Sequence, residues 1–129
     1  MLHKNKGFLY INSTPIPYPD KDSGIQTIST VVDSARTADG VMRGEKIGRD
    51  LTKIEMTWNV LTPSDWQEIL NAVSPFTFNV QYFDMRLNNW VSKLFYCGDR
   101  SAMPVMINES TGRPKYYRNC TVNIIDVGL

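Results

Sequence analysis

Residues Thr52 to Val60 read TKIEMTWNV, so that Ile54, Met56, Trp58 and Val60 alternate with Lys53, Glu55, Thr57 and Asn59. A period of two with one apolar face and one wet face specifies a half-buried β-strand. That strand is the returning limb of a longer stretch, Thr30 to Leu61, which predicts an extended hairpin. Thr30 to Ser34 is β-branched and polar and supplies the outgoing limb, with Ile25 to Val32 leading into it. Asp39-Gly40 suits the positive φ values of a tight type I′ turn at the tip.

The part between the limbs is polar and charge-balanced. From Asp33 to Asp50 the cations Arg36, Arg43, Lys46 and Arg49 face the anions Asp33, Asp39, Glu45 and Asp50, four against four. Apart from Val41, Met42 and Ile47, hardly any side chain there is suited to a core. A two-stranded hairpin alone in water is marginal, so such an arm needs a surface to lie against. Two readings stay open from residue types: a solvated tip with Gly44 and Gly48 as bends, or an arm that docks on a second copy with its alternating charges setting the register. On the second reading the candidate interface residues are Arg36, Asp39, Gly40, Arg43, Glu45, Lys46 and Arg49.

Around this arm the chain reads as mainly β. Phe8 to Ile11 is a short strand, and the alternate prolines of Thr14 to Pro19 predict an edge segment or a crossing connection, because proline gives no N–H to a ladder. An SH3-type proline ligand is the functional alternative for that segment. Asp20 to Gly24 is a turn. After Val60 the period changes: Thr62 can cap a helix, Pro63 suits its first position and Asp65 meets the free N–H groups of the first turn. Trp66, Ile69, Leu70 and Val73 then form one apolar stripe, ended by Ser74-Pro75.

Phe76, Phe78, Val80 and Tyr82 alternate as a second clear strand, Arg86 to Asn89 turns, and Trp90 to Cys97 is a third. Gly98-Asp99-Arg100-Ser101 predicts a turn into Met103 to Ile107, Asn108 to Gly112 a loop, and Tyr116 to Val127 a long closing strand with Cys120, Val122 and Ile124 on one side. Trp58, Trp66, Phe76, Phe78, Tyr82, Trp90 and Phe95 fall at periodicities that point to a core, not a stacking platform for bases. Many strands and one helix predict a single domain over residues 1–129: a β-sandwich or strongly bent antiparallel sheet with one flanking helix and an extended hairpin arm.

Composition narrows the function classes. A length of 129 residues supports a sizeable core without staples, and a net charge of +1 gives no bulk attraction to nucleic acid or anionic lipid. No stretch approaches the ~20 apolar residues of a membrane-spanning helix, and Phe8 to Ile11 is too short for the core of a signal peptide. These features predict a chain left in a cytosol-like compartment. The two cysteines, Cys97 and Cys120, are expected as free thiols, with a disulfide between neighbouring strands the other reading. They and the sole histidine, His3, are too few for a zinc cluster, and the sequence has neither a second histidine for a nucleophile–base pair nor a phosphate loop motif. Gly40, Gly44 and Gly48 recur every four residues, which turn and bend geometry explains better than phosphate binding. The expectation is a protein without catalytic turnover, metal, cofactor or small-molecule substrate.

Several strings in order carry a family resemblance: FLYIN followed by Ile16-Pro17, DSARTADG from Asp33 to Gly40, KIEMTW from Lys53 to Trp58 with Leu61-Thr62 and Trp66, FYCGDR from Phe95 to Arg100, and the closing Val122-Asn123-Ile124-Ile125. Together they resemble small structural tail proteins of long-tailed phages and prophages of Gram-positive bacteria, over nearly the whole chain. The resemblance implies a β-sandwich flanked by a helix, similar to tail-tube and distal-tail proteins, whose subunits form a ring or tube through an extended hairpin. It implies partners that are further copies and other tail proteins, with the chain made in the bacterial host cytoplasm and residing in the virion tail. Distal-tail proteins usually carry a further C-terminal domain, with no counterpart before Leu129, so tube, one-domain distal-tail or baseplate, and tail-completion roles all stay open. A monomeric adaptor or peptide-binding module is the alternative function.

Overall fold

The alternation of Thr52 to Val60 is realised as β6 (Leu51–Leu61), the strand on which the chain returns from the arm. A computed structural model describes residues 7–20, 22–30, 32–36, 42–46 and 49–128, with 32–36 and 42–46 described by their backbone. The order of elements is β1 (Leu9–Ile11), β2 (Thr14–Ile16), β3 (Ile25–Ser29), β4 (Val32–Arg36), β5 (Met42–Lys46), β6, α1 (Pro63–Ala72), β7 (Phe78–Asp84), β8 (Asn89–Ile107) and β9 (Pro114–Asp126). Seven strands form one antiparallel sheet in the order β2-β1-β7-β8-β9-β6-β3, and β4 and β5 pair only with each other.

The sheet is not closed, but it is strongly bent. In a flat sheet β3 would lie four strands from β7, about 19 Å away at ~4.8 Å per strand. Yet the Gln26 side chain on β3 donates to Phe83 O at 3.0 Å and accepts from Met85 N at 3.0 Å, both at the end of β7. The other edge folds over as well. Proline at position 15 confines β2 to the sheet margin, and the chain beyond it crosses to β6, where Trp58 Nε1 donates to Pro17 O at 3.3 Å and Asp20 N to Thr57 O at 2.9 Å. Gly24, at φ 75°, closes the turn into β3, and a Cβ there would meet the Phe8 ring at 2.9 Å.

Bending brings two apolar faces together. Leu9, Ile11, Ile16, Val80, Tyr82 and Phe95 of one half meet Ile54, Met56, Trp58, Cys120, Val122 and Ile124 of the other in one buried cluster. Helix α1 adds Trp66 and Ile69 to the same cluster, and Val73, which caps its C-terminus, joins them. Its start follows the residues: Thr62 Oγ1 accepts from Asp65 N at 3.2 Å and Pro63 occupies the first turn. Both cysteines are free thiols, Cys120 buried and Cys97 half-buried.

Four expectations require correction. Gly98 to Ser101 is not a turn: β8 runs unbroken from Asn89 to Ile107, because pairing with β9 carries it through two register shifts, at Cys97/Arg100 and Ser101/Met103. Phe76 precedes β7 and is 89% exposed, so the alternation that includes it begins one rung too early. Trp90 pairs with exposed Phe83 on the outer face, rings 5.8 Å apart, because Val91 and Phe95 take the inner row of β8 opposite Tyr82 and Phe78. Val60 is 52% exposed and Leu61 is buried instead. At that level of the sheet Asn119 adopts φ 53°, which kinks β9 and breaks the in-and-out alternation of the pair.

Candidate functional site at the base of the arm

The hairpin predicted over Thr30 to Leu61 is built in two sections. The lower section is the β3–β6 pair, from Ile25↔Glu55 to Ser29↔Leu51. The upper section is the β4–β5 pair, from Val32↔Lys46 to Arg36↔Met42. Two residues separate the sections on the outgoing limb and four on the returning limb, so the ladder cannot continue in register and the arm is a separate two-stranded unit.

Side chains pin the junction to the body. Thr30 Oγ1 donates to Asp50 Oδ1 at 2.7 Å across the base. Arg49 makes a two-pronged contact with Asp126 near the end of β9, both bonds 2.5 Å long, and Arg49 Nη1 also donates to Asp50 O at 3.2 Å. Gly128 N donates to Asp126 Oδ1 at 2.9 Å. Asp126 is 1% exposed. Burial by itself would raise its carboxyl, but the Arg49 and Gly128 hydrogen bonds and the Arg49 and Lys93 charges outweigh burial and hold it below the usual carboxylate range. The same hydrogen bond raises Arg49, against the burial that opposes it.

Beside this pair lies a chamber of about 190 Å³ lined by Ile28, Arg49, Asp50, Thr52, Asp84, Arg86 and Lys93. Asp84 and Thr52 are buried. Asp84 Oδ1 accepts from Arg86 N at 2.8 Å and Leu87 N at 3.1 Å, and its Oδ2 receives the Tyr82 hydroxyl at 3.4 Å. Burial raises the Tyr82 phenol; a bond to the Thr52 side chain opposes the rise, and the Asp84 and Asp126 charges add to it. The arrangement is suited to holding charge in a partly enclosed space.

Of the residues proposed for the arm interface, Arg36 ends β4 opposite Met42, and Arg43, Glu45 and Lys46 lie on β5 opposite Ala35, Asp33 and Val32. Asp39 and Gly40, with the turn expected there, lie outside the described residues, as does His3. Arg49, of the same set, binds Asp126 within its own chain. Residue types alone did not single out Thr52, Tyr82, Asp84, Lys93 and Asp126. A signal for four of them was present: Thr52 is in phase with Ile54 and Met56, Asp84 with Val80 and Tyr82, Lys93 with Val91 and Phe95, and Asp126 with Val122 and Ile124. Polar residues in phase with an apolar row mark the place where a core gives way to a polar chamber. Among the described residues no group of three or more His, Cys, Asp or Glu is placed to hold a metal ion, and no helix is long and apolar enough to cross a membrane.

Comparison with protein-family models, curated proteins and solved structures yields no match to this chain.

Proposed function

We propose that the chain is a structural subunit of a phage or prophage tail, in the tube, distal-tail or baseplate region, that assembles into a ring with further copies through its hairpin arm. The observation that carries this reading is the β4–β5 unit, which pairs with no strand of the seven-stranded sheet although its base is pinned to it. A two-stranded ribbon has little independent stability, so a surface on a neighbour is the simplest source of what it lacks. If each copy gives one arm and receives one, the contact is head-to-tail and closes into a ring when the rotation permits. The adaptor alternative draws less support: Pro17 and Tyr18 are exposed, but Pro17 O is occupied by Trp58, so the proline segment is tied to the body along part of its backbone.

The test is to replace residues 32–47 by a short Asn-Gly turn, keeping Thr30, Arg49, Asp50 and Asp126, and to compare melting temperature and mass in solution with the parent over a range of concentrations. The expected result is a folded monomer from an oligomeric parent, with the melting temperature of the variant close to that of the parent in its dilute, dissociated form. A parent that stays monomeric at every concentration, or a variant that forms the same oligomer, refutes the arm as an assembly device.

A further inference from the structure

Lys93 sits where a central strand should carry an apolar residue. It pairs with Val80, which is fully buried, and its neighbours in phase, Val91 and Phe95, pair with the buried Tyr82 and Phe78. Its side chain is half-buried and lines the chamber at the arm base. A cation on the inner row of a bent sheet costs free energy unless a negative group meets it. Among the described residues no carboxylate lies within 4.0 Å of its ammonium, whose charge reaches Asp126 only from farther off, and the same holds for the guanidinium of Arg86, which also lines the chamber.

The carboxylates in and beside the chamber are engaged elsewhere. Asp126 takes both prongs of Arg49 and the N–H of Gly128. Asp84 is held by two backbone N–H groups and the Tyr82 hydroxyl. Asp50 accepts from Thr30. Two cations therefore face a space of about 190 Å³, roomy enough for a small group, with Ile28 as an apolar wall.

We propose that this chamber is a binding site for a carboxylate group, received between Lys93 and Arg86. A monoanion fits better than a phosphate dianion. The lining holds Asp50 and Asp84 against Arg49, Arg86 and Lys93, two against three, so a first negative charge balances the site and a second stands in excess beside two carboxylates. Arg86 provides the planar fork for a carboxylate and Lys93 the point charge. Because Arg49 and Asp50 form part of the same wall, an occupant also touches the residues that pin the arm. The carboxylate belongs either to a small free acid or to an acidic side chain of a second copy, and the chemistry of recognition is the same. The site stands on the chamber geometry and does not depend on the tail-protein reading.

The experiment is titration of the full chain with sodium acetate, by calorimetry and thermal melting, against sodium chloride and sodium phosphate at equal ionic strength. Parent, Lys93→Met and Arg86→Gln proteins are compared. The expected result is saturable one-to-one acetate binding in the parent, weaker phosphate binding, and an acetate affinity reduced at least about tenfold in either variant. A parent response to acetate no larger than to chloride overturns the site, as does acetate binding of parental strength in Arg86→Gln and Lys93→Met. Should Lys93→Met fail to fold, Arg86→Gln on its exposed turn carries the same test. Light scattering of the parent in saturating acetate separates the two sources: a fall in mass assigns the natural occupant to a second copy, and an unchanged mass to a free acid.

Discussion

Replacing Arg49 by methionine leaves Asp126 buried with its principal partner removed. Breaking one side of a buried ion pair costs about 3–5 kcal/mol. The Arg49 side chain is 30% exposed and that of Asp126 fully buried, and Gly128 N and the Lys93 charge remain to serve the carboxylate. Partial solvent access and these residual partners reduce the expected cost to about 2–3 kcal/mol. With a urea m-value of ~1–3 kcal/mol/M, the unfolding midpoint, followed by tryptophan fluorescence at pH 7, moves down by roughly 0.7–3 M. The double variant Arg49→Met/Asp126→Leu removes both charges and is expected within about 1 kcal/mol of the parent, since an apolar pair of similar volume carries no desolvation penalty.

The pH dependence follows from the direction of the Asp126 shift. In the folded protein its carboxyl is held below the ordinary value of 3.8, so its contribution is fully present above 3.8 and is lost as pH falls through the depressed folded value. In Arg49→Met burial pushes the carboxyl the other way, and the penalty for leaving it ionised disappears on protonation. The gap between parent and variant is therefore widest at neutral pH and narrows as pH approaches 4. A single variant within about 1 kcal/mol of the parent at pH 7, or a double variant as unstable as the single one, refutes the account of Arg49 as the clamp of the arm base.

Trp66→Ala removes an indole that is 5% exposed between helix and sheet, and a loss of about 3–5 kcal/mol by urea unfolding is expected; an unchanged midpoint would show that α1 does not pack on the core. Phe76→Ser changes a side chain that is 89% exposed, so thermal stability should stay within about 0.5 kcal/mol of the parent, whereas a large loss would mean that Phe76 is covered in the protein in solution.

Local chemistry was enough for the elements whose residues all favour one outcome. The alternation from Thr52 to Trp58 forms β6, the cap at Thr62 with Pro63 starts α1, and Cys120, Val122 and Ile124 line one side of β9. The bent sheet was legible too, because many half-buried strands and one amphipathic helix have few other ways to cover their apolar faces. The arm was legible as a polar interruption between two strands, and its division from the body is seen only in the register, where two residues on one limb face four on the other.

The sequence by itself determined the strand periods, the helix start and the balance of charge along the arm, because each depends on groups within a few residues of one another. Tertiary structure decided the rest. Gly98 to Ser101 has the residues of a turn, yet the hydrogen bonds offered by β9 outweigh that local preference and carry β8 through it as bulges. Phe76 and Trp90 have core-forming side chains, but Phe76 lies before the first β7–β8 pair at Phe78, and Trp90 falls on the outer row because Val91 and Phe95 take the inner one. The clamp joins Arg49 to Asp126, 77 residues apart, and the chamber beside it draws Thr52, Asp84 and Lys93 from three more strands. A buried charge is tolerable only where a partner is brought to it, and which residues become partners depends on how the sheet bends.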